Sequence, residues 1–481
     1  MEVSNSQIKG KKLKKFPGAV PFILGICGIE RYTANSIVAI LVLYINTKLH
    51  FDQSTSTAIM HANDFLVYFF TIVGAVIGDS WWGAYKTITL MMIVYSCGIA
   101  IVSLGAIETL NLPTIALTFI GLIVVAVGSG GVRPNLNAFG GTQYKLPEQA
   151  EELKFFFSIQ FFLMKCGSLL AYFLAPTLRG DVKCFGMEDC YPLAFGVPAI
   201  AIFVSFIIFI SGTRLYVRTP PSGNMLVKVF ACIFTAVSQK FKQRNKTPKS
   251  HWLDYAEQKH GKKLVDDTKS VLSVLVMFLP IPIYWSGFLL QNSRFVFQAT
   301  RTNGDIGWFV IKPDQMLIFN PVLALIFFPI CEYVFYPLLA KIGIKTVLQK
   351  MTLGILFGAI GVGFAAIIET QIESNYISIL WLIPQYLAMV FSENFLYIAN
   401  LNFAYNEAPK EMKSVITSFV FVTIAGGNLI VVFITGMKFF SSQIYEFLFF
   451  TILIFLDMIF FGFLATRYKY VQVGESDVEK E

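Results

Sequence analysis

Charge is what this 481-residue sequence has little of: Lys, Arg, Asp and Glu make up 14% of it, against about a quarter in ordinary soluble chains. Histidine is scarcer still, at four residues, so few side chains can titrate near neutrality. The alternating segments of about ten residues that mark a membrane-spanning barrel are missing. So are a nucleotide-binding loop, a zinc-ligand spacing and a nucleophile elbow. Gly128-Ser129-Gly130-Gly131 resembles a phosphate loop only superficially, because it ends an apolar helix and lacks the Lys-Ser/Thr pair. Close helix packing accounts for it better. With no nucleophile–base or metal constellation at one depth, an enzyme and a bound cofactor are not expected.

What the sequence has instead is apolar length: 55% hydrophobic residues, 48 of them Phe. Twelve stretches are long enough to cross a bilayer, at roughly 17–45, 57–78, 86–107, 113–133, 155–176, 192–212, 271–291, 315–338, 346–368, 376–401, 414–436 and 443–465. The expected fold is an all-α membrane protein of twelve transmembrane helices in two six-helix bundles. Its parts are an N-terminal segment (1–16), a first bundle (17–212), a basic linker with interfacial helices (213–270), a second bundle (271–465) and a tail (466–481). Substrates of transporters built from two such halves bind near the bilayer midplane between them.

The net charge of +8 is not spread evenly. Five lysines precede the first span, and the stretch from Gly212 to Ser270 holds twelve Lys and Arg against four acids. This is the positive-inside bias, not a nucleic-acid surface, so both termini and the linker are expected in the cytoplasm. The first span then serves as its own uncleaved signal. Within the linker, Met225–Val237 is apolar but too short to span, which predicts an interfacial helix in contact with the bilayer. His251–Tyr255 is a half-apolar turn suited to docking. Asn245-Lys246-Thr247 matches a glycosylation acceptor but lies on the cytoplasmic side. Of seven cysteines, Cys27, Cys97, Cys166, Cys232 and Cys331 read as inert buried thiols. Cys184 and Cys190 share one polar loop on the outer side, where a disulfide is permitted.

Ionisable residues inside the spans carry the functional signal, since each costs ~2.5–3.5 kcal/mol to insert unless paired or wet. Glu30 and Arg31 are adjacent near the centre of the first span, with Glu30 expected to balance Arg31. His61, Asp64 and Tyr68 share one helix face at spacings of three and four, a candidate proton-handling unit. Asp79, in the loop Gly74–Thr87, reads as part of a gate. Arg133 ends the fourth span, Lys165 lies within the fifth, and Glu393 is the sole acid inside the tenth. Pro280 and Pro282, followed by Trp285, should bend the seventh span as a moving gate.

With those residues in place, the chain resembles the proton-coupled oligopeptide transporters of the major facilitator superfamily, and their animal branch most closely. The resemblance rests on Gly74–Thr87, on Gly128–Tyr144 with Ala138-Phe139-Gly140-Gly141, and on Cys190–Ala199. It rests further on His251–Asp254, on Ile311–Met316 with Asn320-Pro321, and on Ala408-Pro409 with Met412–Val415. It implies a proton-coupled symporter of di- and tripeptides or related small solutes, working by alternating access as a monomer in the plasma membrane. By the same resemblance Arg31 and Arg133 hold a substrate carboxylate, with Trp285 and Phe161 lining the site. Glu393 and Asn320 meet an amino group, or Glu393 pairs with Lys165. Glu30, His61, Asp64, Tyr68 and Glu393 are the proton-coupling candidates. The family's helix 1 motif, Glu-x-x-Glu-Arg, is broken here at Cys27, and Lys165 stands in place of an Asn. Ala34, Asn35, Val38 and Leu289 are further departures, and only Glu369–Asn375 joins the ninth and tenth spans, where animal members often carry a large domain. These changes keep two alternatives open: a carrier of a non-peptide organic anion, and a sensor or scaffold that moves nothing.

Overall fold

The computed structural model describes residues 17–145, 148–221, 223, 225–242, 249–407 and 413–468. The segment 1–16, the Asn245–Thr247 acceptor, the motif residues Ala408-Pro409 and Met412, and most of the tail lie outside the described residues.

The apolar stretches fold as helices for a reason that leaves little choice: in hydrocarbon every backbone polar group must be satisfied within its own segment. The first half contains α1 (Val20–Thr47), α2 (Gln53–Ile77), α3 (Ala84–Gly105), α4 (Thr114–Gly141), α5 (Ala150–Asp181) and α6 (Tyr191–Ser211). The linker contributes α7 (Met225–Lys242) and the short α8 (Glu257–His260). The second half comprises α9 (Lys262–Phe278), α10 (Ile281–Phe288), α11 (Arg294–Ala299), α12 (Phe319–Ile330) and α13 (Tyr336–Lys341), followed by α14 (Val347–Ser374), α15 (Ile383–Glu407), α16 (Lys413–Gly436) and α17 (Gln443–Arg467). Eleven spans among the described residues are long and apolar enough to cross a membrane. The pair Lys262–Phe278 and Ile281–Ala299, bent by 43°, makes a twelfth. The bend falls at Pro280, and Pro282 sits in the first turn of α10, so the proline effect expected of the seventh span is present. Between α12 and α13, a π-helical turn at Cys331–Phe335 bridges what the sequence suggests is one helix.

Helices α1–α6 pack among themselves as one bundle and α9–α17 as the other. Small residues set the spacing within the first bundle. A side chain on Gly74 would collide with the backbone of Gly130 and Gly131, and one on Gly128 with Tyr95, which holds α2, α3 and α4 in backbone contact. The Gly128–Gly131 run is therefore a packing surface. Between the bundles, α2 lies along α16, and α5 meets α12 and the turn before it.

The linker forms a small second core of Cys232, Ala236, Leu253, Ala256 and Val265, so the His251–Tyr255 turn docks on α7 and α9. Cys184 and Cys190 form a disulfide. The five remaining thiols are free, but Cys97 is exposed and Cys166 half-buried, which corrects the expectation that all five are buried. In a spanning helix an exposed apolar position faces lipid instead of core. The connection from α14 to the next helical turn is only the short run after Ser374, ending at Ile379.

Candidate functional site

The centre of α1 is pressed against α5. A Cβ on Gly167 would collide with the carbonyl of Gly28, so Gly167 permits the close approach of α5 to α1 beside Glu30, Arg31 and Lys165. At the broken motif position, the Cys27 thiol accepts a hydrogen bond from the Gln160 amide at 3.1 Å, and Gln160 also donates to Asn137 at 2.8 Å. A neutral chain of hydrogen bonds thus replaces an acid.

Glu30 is buried and takes its cation from α4: Arg133 Nε donates to Glu30 Oε1 at 2.8 Å. This corrects two expectations. Glu30 does not balance its neighbour Arg31, because consecutive helical residues point about 100° apart, and Arg133 is already committed to an acid. Arg31 is left over. Its Nε is buried without a hydrogen-bond partner, and it forms no ion pair among the described residues. It lines a cavity of about 90 Å³ together with Asn35, Asp64, Tyr68, Arg133 and Tyr172. That is well below the ~300–1,000 Å³ of pockets that enclose drug-sized ligands. In this conformation the slot suits a carboxylate head or a few waters.

The face shared by His61, Asp64 and Tyr68 is divided between two environments. His61 is fully buried and reaches the other bundle, with Nδ1 2.8 Å from Asn428 Oδ1 and Nε2 2.9 Å from Ser293 Oγ. Asp64 and Tyr68 line the cavity instead. The expected His61–Asp64 unit is thus not formed, because both ring nitrogens are taken by groups on the far side of the bundle interface. The Asn428 amide nitrogen donates to Ile424 O at 3.1 Å, which turns its carbonyl toward the imidazole.

Across the interface, Lys165 and Glu393 meet. Lys165 Nζ donates to Glu393 Oε1 at 3.0 Å, and Asn320 donates to Glu393 Oε2 at 3.2 Å. The Lys165 ammonium also lies 5.7 Å from the centre of the Phe161 ring, which itself packs on Phe328. Trp285 is buried against Tyr284, Phe288 and Tyr397. The backbone of Asp79 accepts from Gly223 at 3.2 Å, tying the loop after α2 to the linker. No group of three or more His, Cys, Asp or Glu among the described residues is placed to hold a metal.

The bundle end away from the linker is closed by polar contacts that hydropathy did not single out. Arg179 holds Asp314 through two bonds of 2.8 and 3.0 Å, and Lys312 reaches Asp181 at 2.7 Å. Arg294 pairs with Glu446 at 2.7 Å and also donates to Ser54 at 3.2 Å. Asp457, buried in α17 with both oxygens unpartnered, was missed too. A lone acid mid-span is the signal that marked Glu393, and it marks Asp457 equally.

Two helical bundles, spans of alternating direction and an ionisable cavity between the halves define a polytopic membrane protein of the major facilitator fold. Residues 85–443 match the sequence model of the POT family. The chain belongs to that family. It is 44% identical over 358 residues to "Peptide transporter family 1" of Drosophila melanogaster, covering 74% of this chain and 48% of that protein. It is 41% identical over 363 residues to "Solute carrier family 15 member 2" of Homo sapiens, covering 74% of this chain and 50% of that protein. The chain thus spans about half the length of the curated relatives it matches. Among solved structures, it is similar to the POT family transporter PepTSo with a TM-score of 0.82 at 25% identity, over 95% of this chain and 99% of that one. An auto-inhibited POT family peptide transporter is similar too, with a TM-score of 0.81 at 25% identity over 95% and 98%.

Proposed function

We propose that the chain is a proton-driven carrier of small peptides or peptide-like solutes that works by alternating access. The observation that carries this reading is Arg31, a half-buried guanidinium with a buried, unpartnered Nε and no ion pair among the described residues, in a cavity between the bundles. A carboxylate bound there would make the charge-assisted bonds that Arg31 lacks. The relatives named as peptide transporters supply the solute class. Asp64, in the same cavity and without an ion pair among the described residues, is the first candidate for the coupling proton. Glu30, His61 and Glu393 are already engaged, and Tyr68, in the same cavity, is a phenol that releases its proton far less readily than a carboxyl.

Charge distribution supports a cytoplasmic linker; on this reading the end held by Arg179–Asp314 and Lys312–Asp181 faces outward and this conformation is the one closed to the outside. Asp79 and the bend at Pro280 and Pro282 are then the moving parts. The plasma membrane is the proposed residence and the monomer the proposed working unit. Uptake of a labelled dipeptide into proteoliposomes tests the reading: an inward proton gradient should accelerate saturable uptake, and Asp64→Asn should remove the acceleration. Uptake indifferent to the gradient would sink the symport mechanism. Binding without flux would favour a sensor. The organic-anion alternative is favoured by one observation, the Lys165–Glu393 pair.

A further inference from the structure

Glu393 is an acid at the bundle interface, and both of its oxygens are already occupied. Lys165 Nζ sits on one oxygen at 3.0 Å and Asn320 on the other at 3.2 Å. Both members of the ion pair are mostly shielded, with side-chain exposures of 13% and 21%. The ammonium is further seated over the Phe161 ring. The second buried acid of the region, Glu30, is neutralised by Arg133. Of the interior cations, Arg133 and Lys165 are each neutralised by an acid, and Arg31 is not. Tyr172 lines the cavity beside Arg31 and Asp64, so these three groups belong to one polar region.

We infer that Lys165 is the protein's own substitute for a ligand ammonium, and that the site selects carboxylates whose amino group is capped or missing. This rests on the carrier reading above. The physical case is an exchange. A free peptide amine could reach Glu393 only by displacing Lys165, which would trade one charge-assisted pair for another and strand an ammonium away from water. A site gains nothing from a group it can bind only by unpairing another. A capped peptide keeps its bond to Arg31 and leaves the Lys165–Glu393 pair intact. Asp64 remains as an acid of the Arg31 cavity with no ion pair among the described residues, and as the proposed proton carrier it offers no standing charge to an amine when protonated. Specificity of this kind arises from rejecting the wrong group as much as from attracting the right one.

Matched solutes test it. N-acetyl-Ala-Ala and Ala-Ala share a carboxylate and differ in the charged amine, and both can be followed into proteoliposomes holding the full chain. The wild-type protein should take the capped peptide at least as well as the free one. Lys165→Ala should move the ratio toward the free peptide by about tenfold or more, because Glu393 then lacks its ammonium. The double variant Lys165→Ala/Glu393→Gln should return the ratio to the wild-type side. It also carries no unpaired charge, so it guards against a single variant that fails to fold. A wild-type preference of about tenfold for the free peptide, or a ratio unmoved by Lys165→Ala, would overturn the inference. Saturable uptake of neither peptide by the wild-type protein, alongside a normal thermal unfolding profile, would instead overturn the carrier reading and the inference with it.

Discussion

Glu30 is bonded to Arg133, 103 positions further along the chain, and not to Arg31 beside it. The arrangement gives two arginines of one cavity different work. Arg133 neutralises a buried acid, and Arg31 is the cation that remains. Replacing each should therefore fail differently. Arg31→Ala should leave the fold near its wild-type stability and raise the KM for a carboxylate solute, by about tenfold or more if one charge-assisted bond of ~1.5–3 kcal/mol is lost. Arg133→Ala leaves Glu30 buried without a partner, a change that typically costs ~3–5 kcal/mol, and should lower the unfolding temperature. Adding Glu30→Gln to Arg133→Ala should restore much of that loss. Measuring KM and thermal unfolding on the same preparations checks both halves. Equal destabilisation by the two arginine variants would contradict the division of labour.

If the chain works by alternating access as proposed, the contacts between Arg179 and Asp314 should act on its conformational equilibrium. Asp314 is fully buried, and Arg179 approaches it with two nitrogens at 2.8 and 3.0 Å across the bundle interface. Opening this end would return both groups to water, so Arg179→Ala penalises only the closed state. If even half of the usual ~3–5 kcal/mol is felt, the open population rises by about tenfold or more. Paired spin labels on exposed positions beside Asp52 and Asp181 should report a longer distance population in the variant. Distance distributions identical to wild type would show that the pair is not the bolt.

How much of this was legible in the sequence follows from the range of each interaction. Hydropathy is a local property, and it placed the spans, the linker and the bend at Pro280. Intramembrane charges were equally visible, because an acid such as Glu393 stands out against apolar neighbours. Their partners were not. Glu30 chose Arg133 over Arg31 because α1 packs against α4 at that depth, and His61 chose Asn428 and Ser293 because α2 lies along the second bundle. Such choices depend on tertiary placement that no spacing rule encodes. Lys165 with Glu393 was reachable only because two unusual charges stood in interior spans with few alternatives.

Acid should loosen the linker through Asp254, which lies outside the spans. Its carboxylate is held below the usual carboxylate range first by the Lys269 ammonium at 2.7 Å, then by the Ser250 hydroxyl at 2.8 Å and the His251 backbone N–H at 2.9 Å. A carboxyl whose folded pKa is depressed contributes stability above its unfolded value, near 4, and loses it as pH falls toward the folded value. The docking of the His251–Tyr255 turn on α7 should thus be constant from neutral pH down to about 5 and weaken below about 4. Amide exchange in Trp252–Ala256 reads this directly. Asp254→Asn should show the faster exchange already at neutral pH, and a variant as protected as wild type would remove Asp254 from the account.

Helix α7 presents two apolar faces, and only one has a protein partner. Val229, Cys232 and Ala236 are buried, whereas Val227, Phe230, Phe234, Val237 and Phe241 are exposed at alternating spacings of three and four. That second stripe runs along a single side of the helix. Phe230 approaches Phe419 of the spanning helix α16, at 6.4 Å between ring centres, so the stripe begins where the membrane bundle ends. Lys228, Lys240 and Lys242 belong to the same helix, the arrangement of basic residues expected beside an anionic leaflet. Leaving large apolar side chains in water forfeits ~1.5–3 kcal/mol each, a cost that insertion at the acyl boundary removes. We therefore propose that α7 lies in the bilayer interface with Phe234 and Phe241 directed into it. In liposomes with brominated acyl chains, Phe234→Trp should gain a tryptophan signal that is quenched more strongly than that of a tryptophan placed at Lys240. Phe234→Asp should release the helix to faster amide exchange. Equal quenching at the two positions would mean that the stripe faces something other than lipid.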